Sequence, residues 1–224
     1  MTALITNVAI QKTTFKYEIP YMLLITAVLL VMGMTGNEIT FIEGGILWIL
    51  FIAYLLYLYI LAKKGNDSGD EHSVKLYPVW KCLLFIVLGG VCVVIGSQFV
   101  VNGATTIARA CGMSERFIGL TIVAFGTSLP ELVTSVSAAR KRNAGIAIGN
   151  IVGSNIFNIL FVIGTVALIC PVPFESRFVI DTVVAILCGV LLLGGTIRHK
   201  ELRKPCGVVM LLCYAAYFVY LAAM

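Results

Sequence analysis

The sequence predicts an all-α integral membrane protein with about seven transmembrane helices. Three observations predict it. The 224 residues are 60% hydrophobic and 12% charged, with a mean hydropathy of +1.01, and a soluble domain needs more polar surface than that. The apolar residues fall in continuous runs, and a hydrocarbon core of about 30 Å takes roughly 20 of them as helix. The Lys and Arg residues between the runs are shared unevenly between two faces, as in chains oriented by the positive-inside rule.

The runs, in order, are 20–34, 41–62, 79–101, 117–139, 145–170, 178–197 and 206–223. Residues 1–19 hold Lys12, Lys16 and Glu18 and lack a long apolar stretch, so they read as a polar lead and not a cleavable signal peptide. The hydrophilic stretch KKGNDSGDEHSVK, residues 63–75, reads as a solvated loop, His72 included. Its acidic residues lack EF-hand spacing. The chain therefore divides into a lead with two helices (1–62), a loop (63–78) and a five-helix half (79–224).

Charge orients the runs. With the N-terminus inside, the inner segments carry 13 Lys or Arg residues and the outer ones only Arg109, Arg116 and Arg177. The expected topology is N-terminus inside and C-terminus outside, in the cytoplasmic (inner) membrane. The net charge of +5 then reflects topology and attraction to anionic lipid. Its scatter over separate loops gives no nucleic-acid surface. The seven cysteines form no CxxC pair and read as small hydrophobes within the spans. No nucleophile–base set or nucleotide loop points to an enzyme.

One stretch breaks the apolar pattern. FGTSLPELVTS, residues 125–135, puts Glu131 near mid-membrane, roughly 22 Å from Arg116 and 13 Å from Arg140 along an ideal helix. An acid at that depth costs about 2.5–3.5 kcal/mol and marks a functional position facing a bundle interior or a wet cavity. Thr127 and Ser128 share a helix face with Glu131. Pro130 has no N–H, so a break is expected that frees carbonyls around 124–127. Such backbone is tolerated only inside protein or against water. The result is a cluster of hard oxygens, of the kind calcium and sodium take. The next run carries GNIVGSNIFNIL, residues 149–160, with Ser154 and Asn158 one turn apart. Gly145, Gly149 and Gly153 form a small-residue ridge, expected to bring two helices close. Gln98, Asn102, Glu43, Glu175 and Asp181 read as interfacial.

The segment GLTIVAFGTSLPELVTSVSAARKRNAGIAIGNIVGSNIFNILFVIG resembles one α-repeat of the cation/calcium exchanger superfamily, and most resembles its bacterial sodium/calcium antiporters. GTSLPE followed by GNxxGSNxFN at this separation is specific. The resemblance implies ten helices in two inverted five-helix halves, each supplying one α-repeat to an ion site at the midplane. The runs here correspond to helices 4–10, with the α-repeat at 117–170. Carried over by motif position, the ion ligands are Ala124, Thr127, Ser128, Glu131, Ser154 and Asn158, with Glu131 the key carboxylate. Position 158 is Asn where such exchangers often have Asp, which weakens the negative field.

The implied activity is secondary antiport of calcium, or a related cation, against sodium. No cofactor is implied beyond the transported calcium and sodium ions, and the surroundings are membrane lipid. Only one α-repeat occurs, because neither GTSLPE nor GSNxFN appears before residue 100. The expectation is therefore the C-terminal part of an exchanger, inactive alone and completed by a second chain carrying the first α-repeat. The 13-to-3 charge bias argues against pairing with an inverted copy of itself. The alternatives are a non-transporting membrane subunit or degenerate fragment, and proton-coupled cation exchange.

Overall fold

The computed structural model describes residues 3, 8–65, 78–113, 118–119, 122, 124–141, 144–197 and 201–223. Most of the loop expected at 63–78 lies outside these residues, as do Arg116, Phe117, Arg142, Arg198 and Lys200.

The described chain is mostly helical. A π-helical turn, Thr14–Glu18, leads into α1, Ile19–Gly36; α2 is Phe41–Gly65 and α3 is Val79–Ala110. Two pieces, α4 at Ala124–Thr127 and α5 at Leu129–Arg140, precede α6 at Ala144–Phe157. A second π-helical stretch, Asn158–Ile163, joins α6 to α7 at Gly164–Ile169. Helix α8 is Ser176–Ile197 and α9 is Lys204–Ala223. Among the described residues, five helical segments are long and apolar enough to cross a membrane: Thr14–Gly36, Phe41–Lys63, Val79–Ala110, Gly145–Ile169 and Phe178–Ile197. The stretch Lys204–Tyr220 is a shorter apolar helix, and the described residues 124–139 are divided at Ser128.

The residues at the helix ends explain where elements stop. Asn37 closes α1 with φ 55°, a left-handed conformation that Asn tolerates better than most residues. Its carbonyl accepts a 2.7 Å bond from the Phe174 N–H. Helix α2 opens with Thr40-Phe41-Ile42-Glu43. Glu43 Oε2 accepts from both the N–H and the hydroxyl of Thr40 at 2.8 Å, a capping box that satisfies donors a helix start leaves open. Glu43 thus has a local structural partner as well as a place at the span's edge.

The lead departs from the sequence expectation. Ala3, Val8 and Ile10 are buried in the same apolar core as Ile19, Ile25, Leu47, Ile148, Val152, Ile156 and Leu160. The first span begins at Thr14, not at residue 20. The isolated charges at Lys12, Lys16 and Glu18 made this segment look solvated, yet its apolar residues alternate and pack inward.

Four short strands tie the ends of the bundle. Strand β1, Val8–Ala9, pairs antiparallel with β4, Glu201–Leu202, and β2, Glu38–Ile39, with β3, Val172–Pro173. An internal repeat runs through this arrangement at a separation of 163 positions. It takes β2 onto β4, the start of α2 at Phe41 onto the start of α9 at Lys204, Glu18 onto Asp181, and Tyr54 and Tyr57 onto Tyr217 and Tyr220. The ring pairs agree: Tyr54–Tyr57 centroids are 6.2 Å apart at 26°, and Tyr217–Tyr220 are 6.3 Å apart at 26°. Asp181, expected at a wet edge, instead accepts a 2.6 Å bond from the Tyr217 hydroxyl. That bond joins α8 to α9.

Helix contact at small residues occurs elsewhere than the expected ridge. A Cβ on Gly44 would lie 2.9 Å from Ala167 Cβ and 3.0 Å from the Gly164 carbonyl, so α2 and α7 meet there. A Cβ on Gly149 or Gly153 would meet nothing within 4 Å. Gly145 rests against Gln11, and Gly149 and Gly153 beyond it line a cavity. Gly44→Leu is expected to destabilise the fold by about 1–3 kcal/mol, the usual effect of overpacking. Gly149→Ala should be near neutral. Thermal unfolding in detergent checks this; equal midpoints for the two variants would contradict the assignment.

Candidate ion-binding site

The site is built on the broken segment. Helix α4 ends at Thr127, Ser128 forms a turn at φ −92° and ψ 0°, and α5 starts at Leu129 with Pro130 in its first turn. The Ser128 N–H reaches the Phe125 carbonyl at 3.1 Å and the Leu132 N–H reaches Ser128 O at 3.0 Å. Pro130 supplies no N–H to the Gly126 carbonyl, so the ladder is interrupted where the sequence predicts, with the pivot at Ser128. Backbone angles of this kind recur at active sites. Glu131 lies in the first turn of α5, where the helix dipole favours a negative charge.

Glu131 Oε2 is buried with no hydrogen-bond partner. A buried carboxylate oxygen left unpaired is costly and implies a positive ligand or an unfilled role. Thr127 and Ser128 are exposed beside it, and of Ala124 only the backbone is described. On the following helix Ser154 is half-buried and donates to the Ile151 carbonyl at 3.1 Å, while Asn158 is exposed and starts the π-helical stretch. A π turn inserts a residue into the helical register and is frequent at functional sites. Trp48, Phe51, Phe157 and Phe161 form one aromatic block around it, and Trp48 Nε1 donates to Thr165 Oγ1 at 3.2 Å. The structure packs α5 firmly on α6. Among the described residues no hydrogen bond joins the Glu131 carboxylate to Ser154 or Asn158.

Three features escape the sequence reading. The first is Asn150, whose Nδ2 donates to the Glu131 carbonyl at 3.3 Å and to Ser135 Oγ at 3.2 Å. Ser135, itself buried, donates to the Ala147 carbonyl at 3.5 Å. This network braces α5 on α6 directly behind the acid. Asn150→Leu leaves Ser135 and the Glu131 carbonyl short of a partner, at about 1–3 kcal/mol. Its unfolding midpoint is expected to fall well below wild type, and an unchanged midpoint would show the brace to be idle.

The second feature is on α3. That helix runs nine residues past the apolar stretch, so Gln98 and Asn102 are not at its end. With Ser97, Thr127 and Pro130 they line a cavity of about 290 Å³ against the break. Thr105 Oγ1, one turn on, is buried without a partner. The polar residues at 97–98, 102 and 105 carried a signal of a polar helix face. Third, Gly126 meets the Val101 side chain so closely that a Cβ would collide with it, which fixes glycine at the break. Among the described residues no three His, Cys, Asp or Glu side chains gather, and all seven cysteines are free.

These residues match a known pattern. The family model for sodium/calcium exchanger proteins matches residues 81–223, which contain the break, Glu131, Ser154 and Asn158. The chain belongs to the sodium/calcium exchanger family. CaxA of Alkalimonas amylolytica is 34% identical over 226 residues, covering 96% of this chain and 70% of CaxA. The sodium/calcium exchanger MaX1 of Methanosarcina acetivorans is 49% identical over 92 residues, covering 41% of this chain and 26% of MaX1. A solved structure of the sodium-calcium exchanger NCX_Mj matches with a TM-score of 0.77 at 32% identity, over 98% of this chain and 70% of that one. This exchanger-family chain thus shares a fold, as well as motifs, with a sodium-calcium exchanger.

Proposed function

We propose that this chain supplies one half of the ion site of an antiporter that exchanges calcium for sodium across the cytoplasmic membrane. The observation that carries the reading is the buried, unpartnered Glu131 Oε2 at a helix break. A cation crossing the membrane must shed water, and a carboxylate offsets that loss better than carbonyls alone. Ala124, Thr127, Ser128, Ser154 and Asn158 add neutral oxygens from the two helices. The neighbours' names, sodium/calcium exchanger MaX1 and sodium-calcium exchanger NCX_Mj, support calcium and sodium as the ions.

The sequence given holds GTSLPE once, and in this reading the remaining ligands come from a segment carrying the first α-repeat. Seven spans, helices 4–10 of the family fold, then complete ten. Broken helices meeting at a midplane site suit alternating access by movement of one bundle against the other. The N-terminus is inside, as the charge bias requires; labelling of a cysteine at residue 70 from the outer face of intact cells would reverse this. The test of the function is sodium-gradient-driven calcium uptake in vesicles holding this chain together with a chain bearing the first repeat. Uptake that ignores the sodium gradient would refute it.

A further inference from the structure

We propose that Glu18, with Thr14 and Gln11, forms a second divalent-cation site, separate from the one around Glu131. Glu18 is only 9% exposed, and it has no hydrogen bond or ion pair among the described residues. It lines a cavity of about 650 Å³ with Gln11, Thr14 and Tyr54, and Asn150 stands on the α6 wall. The open stripe at Gly149 and Gly153 gives that cavity its room.

The internal repeat sharpens the point. Its mate, Asp181, is bonded to Tyr217 at 2.6 Å. Glu18 has Tyr54 in the same register, with the same stacked neighbour, yet makes no bond to it. An acid kept only to join two helices would use the tyrosine, as Asp181 does. Glu18 instead presents its carboxylate to the cavity. A carboxylate enclosed on all sides but the cavity, with no protein donor, favours a positive group that joins it from there. One carboxylate, one hydroxyl, one carboxamide oxygen and space for waters, each about 30 Å³, suit a partly hydrated calcium-class ion. With a single charge the affinity is weak, on the order of 10⁻⁴–10⁻³ M. Asn150 connects the two sites, because it also holds the Glu131 carbonyl. Glu18 is thus placed to hold an ion behind the exchange site.

Terbium ions report on this directly, since they replace calcium and emit when a nearby tyrosine absorbs. The full chain in nanodiscs of zwitterionic phosphatidylcholine is titrated with Tb³⁺, then with competing Ca²⁺. Saturable, calcium-displaceable emission is expected. Glu18→Gln should weaken apparent affinity at least about tenfold, the effect of removing one unit charge from the shell. Asp181→Asn should retain it. Tyr54→Phe, which keeps the carboxylate, should dim the emission without moving the midpoint, and this arm stands even if Glu18→Gln fails to fold. No displaceable emission from the wild-type chain, or an unchanged midpoint in Glu18→Gln, would overturn the proposal. Loss in Glu131→Gln alone would assign the signal to the exchange site and overturn it equally.

Discussion

Glu131→Gln is expected to abolish calcium transport by the assembled exchanger while leaving membrane insertion intact. The substitution keeps shape and hydrogen-bonding capacity and removes only charge. Two unit charges 4 Å apart interact by about 4 kcal/mol at an effective dielectric of about 20, and a divalent ion feels more. Each 1.4 kcal/mol is about tenfold in affinity, so the loss is on the order of a thousandfold. Position 158, on the facing helix, is a neutral Asn. Calcium flux at matched membrane expression checks this. Wild-type flux from the variant would make Glu131 a structural carboxylate.

The second large effect concerns the chain by itself. Calcium takes 6–8 oxygens. The proposed ligands here number one carboxylate, three hydroxyls, one amide and the Ala124 carbonyl, spread over two helices. Even if all six converged, only one would carry charge, and among the described residues the Glu131 carboxylate hydrogen-bonds neither Ser154 nor Asn158. The open α6 face at Gly149 and Gly153 also leaves room beside the site. Reconstituted alone, the chain is expected to insert and to show no sodium-driven calcium uptake; added with a chain bearing the first α-repeat, uptake should appear. Exchange by the single chain would remove the need for a partner.

Much of this was legible in the sequence because lipid makes polar residues conspicuous. Glu131 stood out in an apolar run, and Pro130 announced the break that the structure places at Ser128. The capping box at Thr40 and Glu43 was also written plainly, as T-x-x-E, though depth alone made Glu43 look interfacial. Other features depend on rotation and tertiary neighbours. Asn150 and Asn155 lie in the same motif, but only packing decides that Asn150 braces the Glu131 segment while Asn155 turns to the Ile151 carbonyl of its own helix at 2.8 Å. Gln98 and Asn102 looked terminal because hydropathy ends near residue 101, whereas helical hydrogen bonding continues to Ala110. The glycine ridge packs no helix at Gly149 and Gly153 among the described residues, since small residues serve equally to admit a helix or to open a cavity. The pairing of Asp181 with Tyr217 spans 36 residues, beyond any local pattern.

The central claim is that a cation sits at Glu131. Its most direct test is anomalous X-ray scattering from strontium soaked into crystals of this chain assembled with a first-repeat partner. The account predicts a strontium peak at about 2.3–2.6 Å from the Glu131 carboxylate, the range of calcium–oxygen bonds, with hydroxyls of Thr127 or Ser128 in the same shell. A dry Glu131, hydrogen-bonded within the bundle while strontium binds elsewhere or nowhere, would contradict it.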